Sequence, residues 1–164
     1  MTAPRRVSPA EALELVERGG YAYLDVRSEP EFADAHPAGA YNVPLAHLAA
    51  GGLADNGDFV RVVEAVFAKN ARLVVGCKSG GRSRRAAALL AQAGYGDVVD
   101  QRAGFDGVRD AFGALVEPGW GRAGLPVERG RPAGRAYGEL RARAEAAAGQ
   151  GGPGGQGGQG GQGD

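Results

Sequence analysis

The sequence predicts an α/β fold with a mostly parallel central sheet flanked by helices on both faces. Three observations predict it. Short apolar runs at residues 21–26, 73–76 and 98–99 have the length and composition of buried strands. Helical stretches with start and stop signals stand between them. The run at 73–76 leads into a glycine-containing loop and then another helix, the arrangement of a strand near the middle of such a sheet. Strands separated by helices pair in parallel, because the chain must cross back over a sheet face before the next strand begins.

The elements follow in order. Ser8-Pro9-Ala10-Glu11 reads as a capping box with proline at the first helical position, and Gly19-Gly20 closes that helix. Residues 21–26 form the first strand, ending near Asp25 and Arg27. Ser28-Glu29-Pro30-Glu31 is a second capping box, opening a brief helix that carries Phe32. Residues 39–44 read as a turn and short strand, and 51–57 as a loop. Asp58 caps a helix with Phe59, Val62, Val63, Val66 and Phe67 at helical spacing. After the strand at 73–76, a helix is expected from about Ser83 to Ala93, stopped by Gly94. A short strand at Val98-Val99 and a last core helix over 105–112 complete the layers. The glycine- and proline-rich stretch 113–134 is read as an irregular surface wrap with Trp120 as its surface anchor. Residues 1–134 thus make one domain, 135–148 an amphipathic helix through Tyr137, Leu140 and Ala144, and 149–164 a glycine- and glutamine-rich tail too polar to order itself.

The chain has 164 residues, enough for one core, and 19 basic against 19 acidic side chains. That balance gives no global pull towards nucleic acid or a membrane surface. No apolar stretch approaches the length of a bilayer span, so a soluble cytoplasmic protein is the expectation. The single cysteine, Cys77, has no Cys and His cluster around it of the kind zinc requires. No motif suggests a metal, nucleotide or flavin cofactor.

A lone cysteine most often fills space in a core. The segment Val74-Val75-Gly76-Cys77-Lys78-Ser79-Gly80-Gly81-Arg82-Ser83 argues otherwise. It puts Cys77 between a strand end and a helix start, where unpaired amides and the helix dipole favour negative charge. Cysteines in such places, or beside cations, can have pKa values of about 3.5 to 7.5 against about 8.5 for a free thiol. Gly80 and Gly81 let successive N–H groups curl towards one anionic centre, and Lys78 and Arg82 add positive charge. His36 and His47 are both remote from Cys77 in sequence, so a Cys-His hydrolase has no positive support. His36 is read as bracing a loop, Asp25 with Arg27 as a structural ion pair, and Arg84 and Arg85 as surface charges of the helix's first turn.

The loop resembles the active-site loop of the rhodanese family. Leu24-Asp25-Val26-Arg27 with Glu31-Phe32, then His36-Pro37-Ala38-Gly39-Ala40 with Asn42-Val43-Pro44, and finally Gly124-Leu125-Pro126-Val127 are similar to three further motifs of that family, in the same order. The resemblance covers roughly residues 7–128. It implies a rhodanese-like domain in which Cys77 takes the outer sulfur of a small anionic donor as a persulfide and yields it to cyanide or a thiol. The amides of Lys78, Ser79, Gly80, Gly81, Arg82 and Ser83 would hold the persulfide and donor, and the Lys78 and Arg82 side chains would attract the donor. Lys78 suits the dianion thiosulfate. A persulfide carrier serving one protein acceptor is the alternative. A cysteine phosphatase or arsenate reductase fits less well, since Cys77 and Arg82 enclose four residues where the phosphatase loop encloses five.

Overall fold

The computed structural model describes residues 3–150. In chain order the elements are β1 (Arg5–Val7), α1 (Pro9–Arg18), β2 (Ala22–Asp25), α2 (Glu29–Asp34), β3 (His36–Pro37), β4 (Tyr41–Asn42), β5 (Ala46–Ala49), β6 (Gly52–Asp55), α3 (Phe59–Val66), β7 (Arg72–Gly76), α4 (Gly81–Gln92), β8 (Asp97–Gln101), β9 (Gly107–Arg109), β10 (Leu115–Pro118), β11 (Val127–Glu128) and α5 (Tyr137–Gln150). Five strands form a wholly parallel sheet in the order β1-β8-β7-β2-β4, with β7 at its centre. The α/β architecture expected from the sequence is therefore the one observed.

Alternation along the strands sorts the core into two layers. Leu24, Val26, Leu73, Val75 and Val98 point to the face covered by α3, α4 and α5, through Val62, Val63, Ala86, Leu90, Leu140 and Ala144. Tyr23, Val74 and Val99 point to the other face, against Ala12 of α1, Phe32 of α2 and Trp120. Both expected capping boxes are present. Ser8 and Glu11 exchange hydrogen bonds at the start of α1, and Ser28 and Glu31 do so at the start of α2. The last helix packs Tyr137, Leu140 and Ala144 into the core and continues beyond the expected end at Ala148 to Gln150. The rest of the expected unstructured tail lies outside the described residues.

Four expectations are corrected. The helix expected over 105–112 does not form. Gly104 and Gly107 have φ of +69° and +120°. The amides of Phe105 and Asp106 bond to the carbonyls of Cys77 and Lys78 instead of to a preceding helical turn. The chain then makes the β9-β10 hairpin, which leaves Phe112 96% exposed. The loop expected over 51–57 contains β6, which pairs with β5 around Gly52 at φ +124°. The wrap over 113–134 contains β10 and β11, and its Trp120 is 1% exposed, not a surface anchor. Trp120 packs edge-to-face on Tyr23 at 5.2 Å, and its indole N–H donates to the Pro126 carbonyl at 2.7 Å. Finally, Arg5–Val7 forms an edge strand beside β8, where no strand is expected from the sequence.

His36, expected to brace a loop, is fully buried. Its ring stacks on Phe32 at 3.7 Å, with Nδ1 2.7 Å from the Phe32 carbonyl and Nε2 3.1 Å from Glu128 Oε1. Glu128 also accepts from Arg135 at 2.6 Å and from the Gly39 amide at 3.0 Å, joining β11, β3 and the approach to α5. The Arg135 hydrogen bond is the main reason its carboxyl is held at about 2 rather than the ordinary 4.5.

Two stability measurements test this architecture. Leu140→Ala, which empties a buried site under α5, is expected to cost about 2–5 kcal/mol in denaturant unfolding. Phe112→Ala should stay within roughly 0.5 kcal/mol of the parent, whereas a core helix over 105–112 would have made it costly. Because the pKa of Glu128 is lowered on folding, its contribution is full above the unfolded value near 4.5 and disappears as pH falls towards 2. Glu128→Gln should lower stability at neutral pH and flatten the loss between those values in acid unfolding curves.

Candidate active site

Cys77 directly follows β7, so it stands at the carboxyl edge of the sheet's central strand, where open parallel sheets place their ligand sites. Its position depends on close backbone packing. A β-carbon on Gly76 would fall 1.9 Å from the Tyr23 hydroxyl, so the residue before the cysteine has no room for a side chain. Gly80 turns the loop back with φ +103°, a left-handed conformation. A β-carbon there would meet the Arg102 carbonyl at 2.4 Å. Through this turn the Gly80 amide donates to Cys77 Sγ at 3.1 Å. The helix α4 starts at Gly81, two residues earlier than expected, and its first-turn amides have no partners within the helix. The thiol therefore lies at the foot of a helix N-terminus, and only 2% of Cys77 is exposed.

The predicted site residues separate by role. Cys77, Gly80 and Ser83 are buried together. Lys78, Ser79 and Gly81 are exposed at the rim, and Arg82 is intermediate. Ser83 Oγ is 3.5 Å from Cys77 Sγ and donates to Asp100 Oδ1 at 2.6 Å. Asp100 is itself buried, and its other oxygen accepts from Arg6 Nε at 2.8 Å. Arg82 is the principal surprise. Its guanidinium is not free to meet a ligand but forms a two-pronged pair with Glu31, at 2.8 and 3.1 Å. Burial resists charge on Glu31, yet the Arg82 and Ser28 hydrogen bonds outweigh it and bring the carboxyl to about 2. The Asp25–Arg27 pair is structural as expected: Arg27 Nη2 lies 2.7 Å from Asp25 Oδ2 and also donates to the Ala35 carbonyl.

Glu31, Asp100 and Arg6 are the site residues that sequence reasoning missed. Glu31 was legible as a capping residue and as part of a family motif, but not as the partner of Arg82. Asp100 had one usable signal: a polar residue at the carboxyl end of an apolar strand, where β8 runs beside β7 and Val75 pairs with Asp100. Arg84 and Arg85 are exposed first-turn residues as expected. Arg85 pairs with Asp55 at 3.2 Å, while Arg84 and Lys78 have no ion-pair partner among the described residues.

This geometry can hold a sulfur-centred anion: one amide faces Sγ, further helix-end amides surround the loop, and exposed cations stand outside it. Comparison with known proteins agrees. The model of the Rhodanese-like domain matches residues 8–111. Thiosulfate sulfurtransferase 16, chloroplastic, of Arabidopsis thaliana is 38% identical over 125 residues, covering 76% of this chain and 93% of that protein. Thiosulfate sulfurtransferase GlpE of Pseudomonas fluorescens is 30% identical over 119 residues, covering 73% and 97%. Among solved structures, Rv0390 from M. tuberculosis superposes with a TM-score of 0.66 at 26% identity, over 79% of this chain and all of that one. With a strand-to-helix cysteine loop on a parallel sheet and these relatives, the chain belongs to the Rhodanese-like domain family.

Proposed function

We infer that this protein is a sulfurtransferase that carries sulfane sulfur on Cys77, with thiosulfate as the donor that suits it. The observation that carries this reading is the Gly80 amide aimed at Cys77 Sγ from the turn that starts α4. The names of the relatives, thiosulfate sulfurtransferases of nearly this chain's matched length, support it.

In the first half-reaction the Cys77 thiolate attacks the outer sulfur of thiosulfate. The donor's S–S bond breaks, its electron pair leaves on sulfite, and Cys77 holds the transferred sulfur as a persulfide. Sγ changes from an anion to a neutral bridging sulfur, and the charge moves one atom outward into the loop. The amides of residues 78–83 are the donors available there, since the helix supplies no acceptors for its first turn. In the second half-reaction cyanide or a thiolate attacks the outer sulfur and Cys77 departs as thiolate. Because Cys77 is so little exposed, the loop admits a terminal sulfur atom more readily than a bulky group.

Arg82 supports this chemistry by position. Tied to Glu31, it fixes the first turn of α4 against the start of α2. Its charge is largely answered by the carboxylate, so attraction of a dianionic donor falls to exposed Lys78 and to the amides. A carrier that serves one protein and turns over slowly with small thiols uses the same persulfide, and rates with small acceptors separate the two.

Two measurements test the reading. Incubation with thiosulfate is expected to raise the intact mass by one sulfur atom, cyanide should remove it as thiocyanate, and Cys77→Ser should do neither; an unmodified parent protein would refute the reading. Lys78→Glu should raise the thiosulfate concentration needed for half-maximal loading by about tenfold at low ionic strength, with the difference shrinking as salt screens the exposed charge. Steady-state loading at several salt concentrations measures it.

A further inference from the structure

Beside the Cys77 loop lies a groove of about 370 Å³ with an unlike lining. Ser79, Gly80 and Gly81 of the loop itself line it together with Arg6, Arg84 and Arg102. The β9-β10 hairpin contributes Val108, Val116 and Glu117, the lone acidic residue of the lining. The hairpin continues past the groove and carries Leu115, Val116 at 64% exposure and Phe112 at 96%. Among the described residues, none of these three side chains belongs to either apolar core cluster.

The hairpin is firmly built. Asp110 accepts from the amides of Phe112 and Ala114 at 2.8 and 3.0 Å, and Arg109 donates to the Gly113 carbonyl at 2.9 Å. At its base Arg102 forks onto Glu117, with both contacts at 2.9 Å. The preceding residues, Phe105 and Asp106, bond to the carbonyls of Cys77 and Lys78. The exposed aromatic tip is thus held on a rigid arm rooted in the cysteine loop. Rigid aromatic side chains bordered by arginine are the groups that dominate protein interfaces.

We propose that this hairpin and groove dock a protein sulfur acceptor that presents its cysteine between acidic and apolar side chains. The proposal rests on the sulfurtransferase reading and names the class of acceptor. Charge complementarity selects the acidic partner: in the groove Arg6 is paired with Asp100 and Arg102 with Glu117, which leaves the charge of Arg84, and Lys78 on the neighbouring loop likewise has no ion-pair partner among the described residues, although the whole chain is neutral. A small donor anion makes no use of Phe112, Leu115 or Val116. A polypeptide uses both parts of this surface. It also delivers its thiol to a sulfur that is otherwise closely covered. The outer sulfur of the Cys77 persulfide takes a proton from water, the acceptor thiolate attacks it, the S–S bond breaks, its electron pair returns to Sγ, and the proton stays with the transferred sulfur as the acceptor's persulfide.

The test loads the full chain with thiosulfate and follows discharge by a capped pentapeptide, Asp-Leu-Cys-Glu-Leu, by its charge-reversed counterpart Lys-Leu-Cys-Lys-Leu, and by cyanide. Peptide rates are normalised to each peptide's rate with a small disulfide. The acidic peptide is expected to half-saturate at about a tenfold lower concentration than the basic one. The double variant Phe112→Ser, Val116→Ser should raise that concentration at least about fivefold and leave cyanide discharge unchanged. Equal peptides, or a double variant that discharges like the parent, would overturn the proposal. So would co-sedimentation with phosphatidylglycerol vesicles that the double variant abolishes, which would make the surface a membrane contact. A parent dimer that the double variant dissociates would give the surface to a second copy and overturn it too. Absence of cyanide-removable sulfur on the loaded parent is a separate outcome, which overturns the sulfurtransferase reading and this proposal with it.

Discussion

The backbone of residues 104–107 crosses beneath the cysteine loop so closely that a side chain at Gly104 would strike the Lys78 carbonyl group at 2.4 Å. Three hydrogen bonds accompany the crossing, from Phe105 to Cys77 and from Asp106 and Gly107 to Lys78. Much of the molecule depends on this contact. It fixes the carbonyl side of Cys77 and Lys78, while Gly80 turns the following backbone so that its amide returns to Sγ. It uses amides that a helix over 105–112 would have needed, and so sends the chain into the β9-β10 hairpin. It also sets Phe105 where Arg27 lies 4.6 Å over its ring, linking the crossing to the buried Asp25–Arg27 pair.

Interactions within a few residues were legible in the sequence, and those that span the chain were not. The two capping boxes, the helix at 59–66 and the strand-loop-helix around Cys77 are written in adjacent residues, and the structure contains all of them, although Asp58 makes no side-chain cap hydrogen bond to the helix it precedes. The missed strands β1, β5, β6, β9 and β10 are short and each buries at most one residue, which leaves little apolar periodicity to read. Leu48 and Leu53 face each other across β5 and β6 yet remain exposed, so their hydrophobicity did not mark a core. Trp120 had the opposite difficulty. Surrounded by glycines, it looked like part of a surface wrap, but Gly119 and Gly121 lie so close to residues 105–107 and to the Phe105 ring that the indole is pressed onto Tyr23.

At the candidate site, residue types were legible and pairings were not. Arg82 closes the cysteine loop in sequence and suggested a ligand-binding cation. Its partner, Glu31, lies fifty-one positions earlier and was already used to explain the start of α2. One carboxylate performs both tasks, capping Ser28 through its backbone amide while taking both prongs of Arg82. Asp100 is comparable. It reaches Ser83 within the site and Arg6 at the sheet edge, so two strands and a helix meet at a carboxylate that sequence reading passed over.

These pairings explain how a chain with no net charge can present a cationic face. Around Cys77 the buried or half-buried charges are matched: Asp25 with Arg27, Glu31 with Arg82, Asp100 with Arg6. Leaving any of them unmatched inside the fold would cost several kcal/mol, on the order of 3–5 for a broken buried pair. Matching removes them from the field that an approaching anion feels. What remains outside is carried by Lys78 on the loop and by Arg84 in the groove. The strongest positive signal in the sequence, Arg82, is thus a brace, and the exposed residues on either side of it set the electrostatic character of the entrance. On the proposed reading, the loop interior relies on oriented amides, which need not reorganise as charge moves from Sγ to the sulfur beyond it.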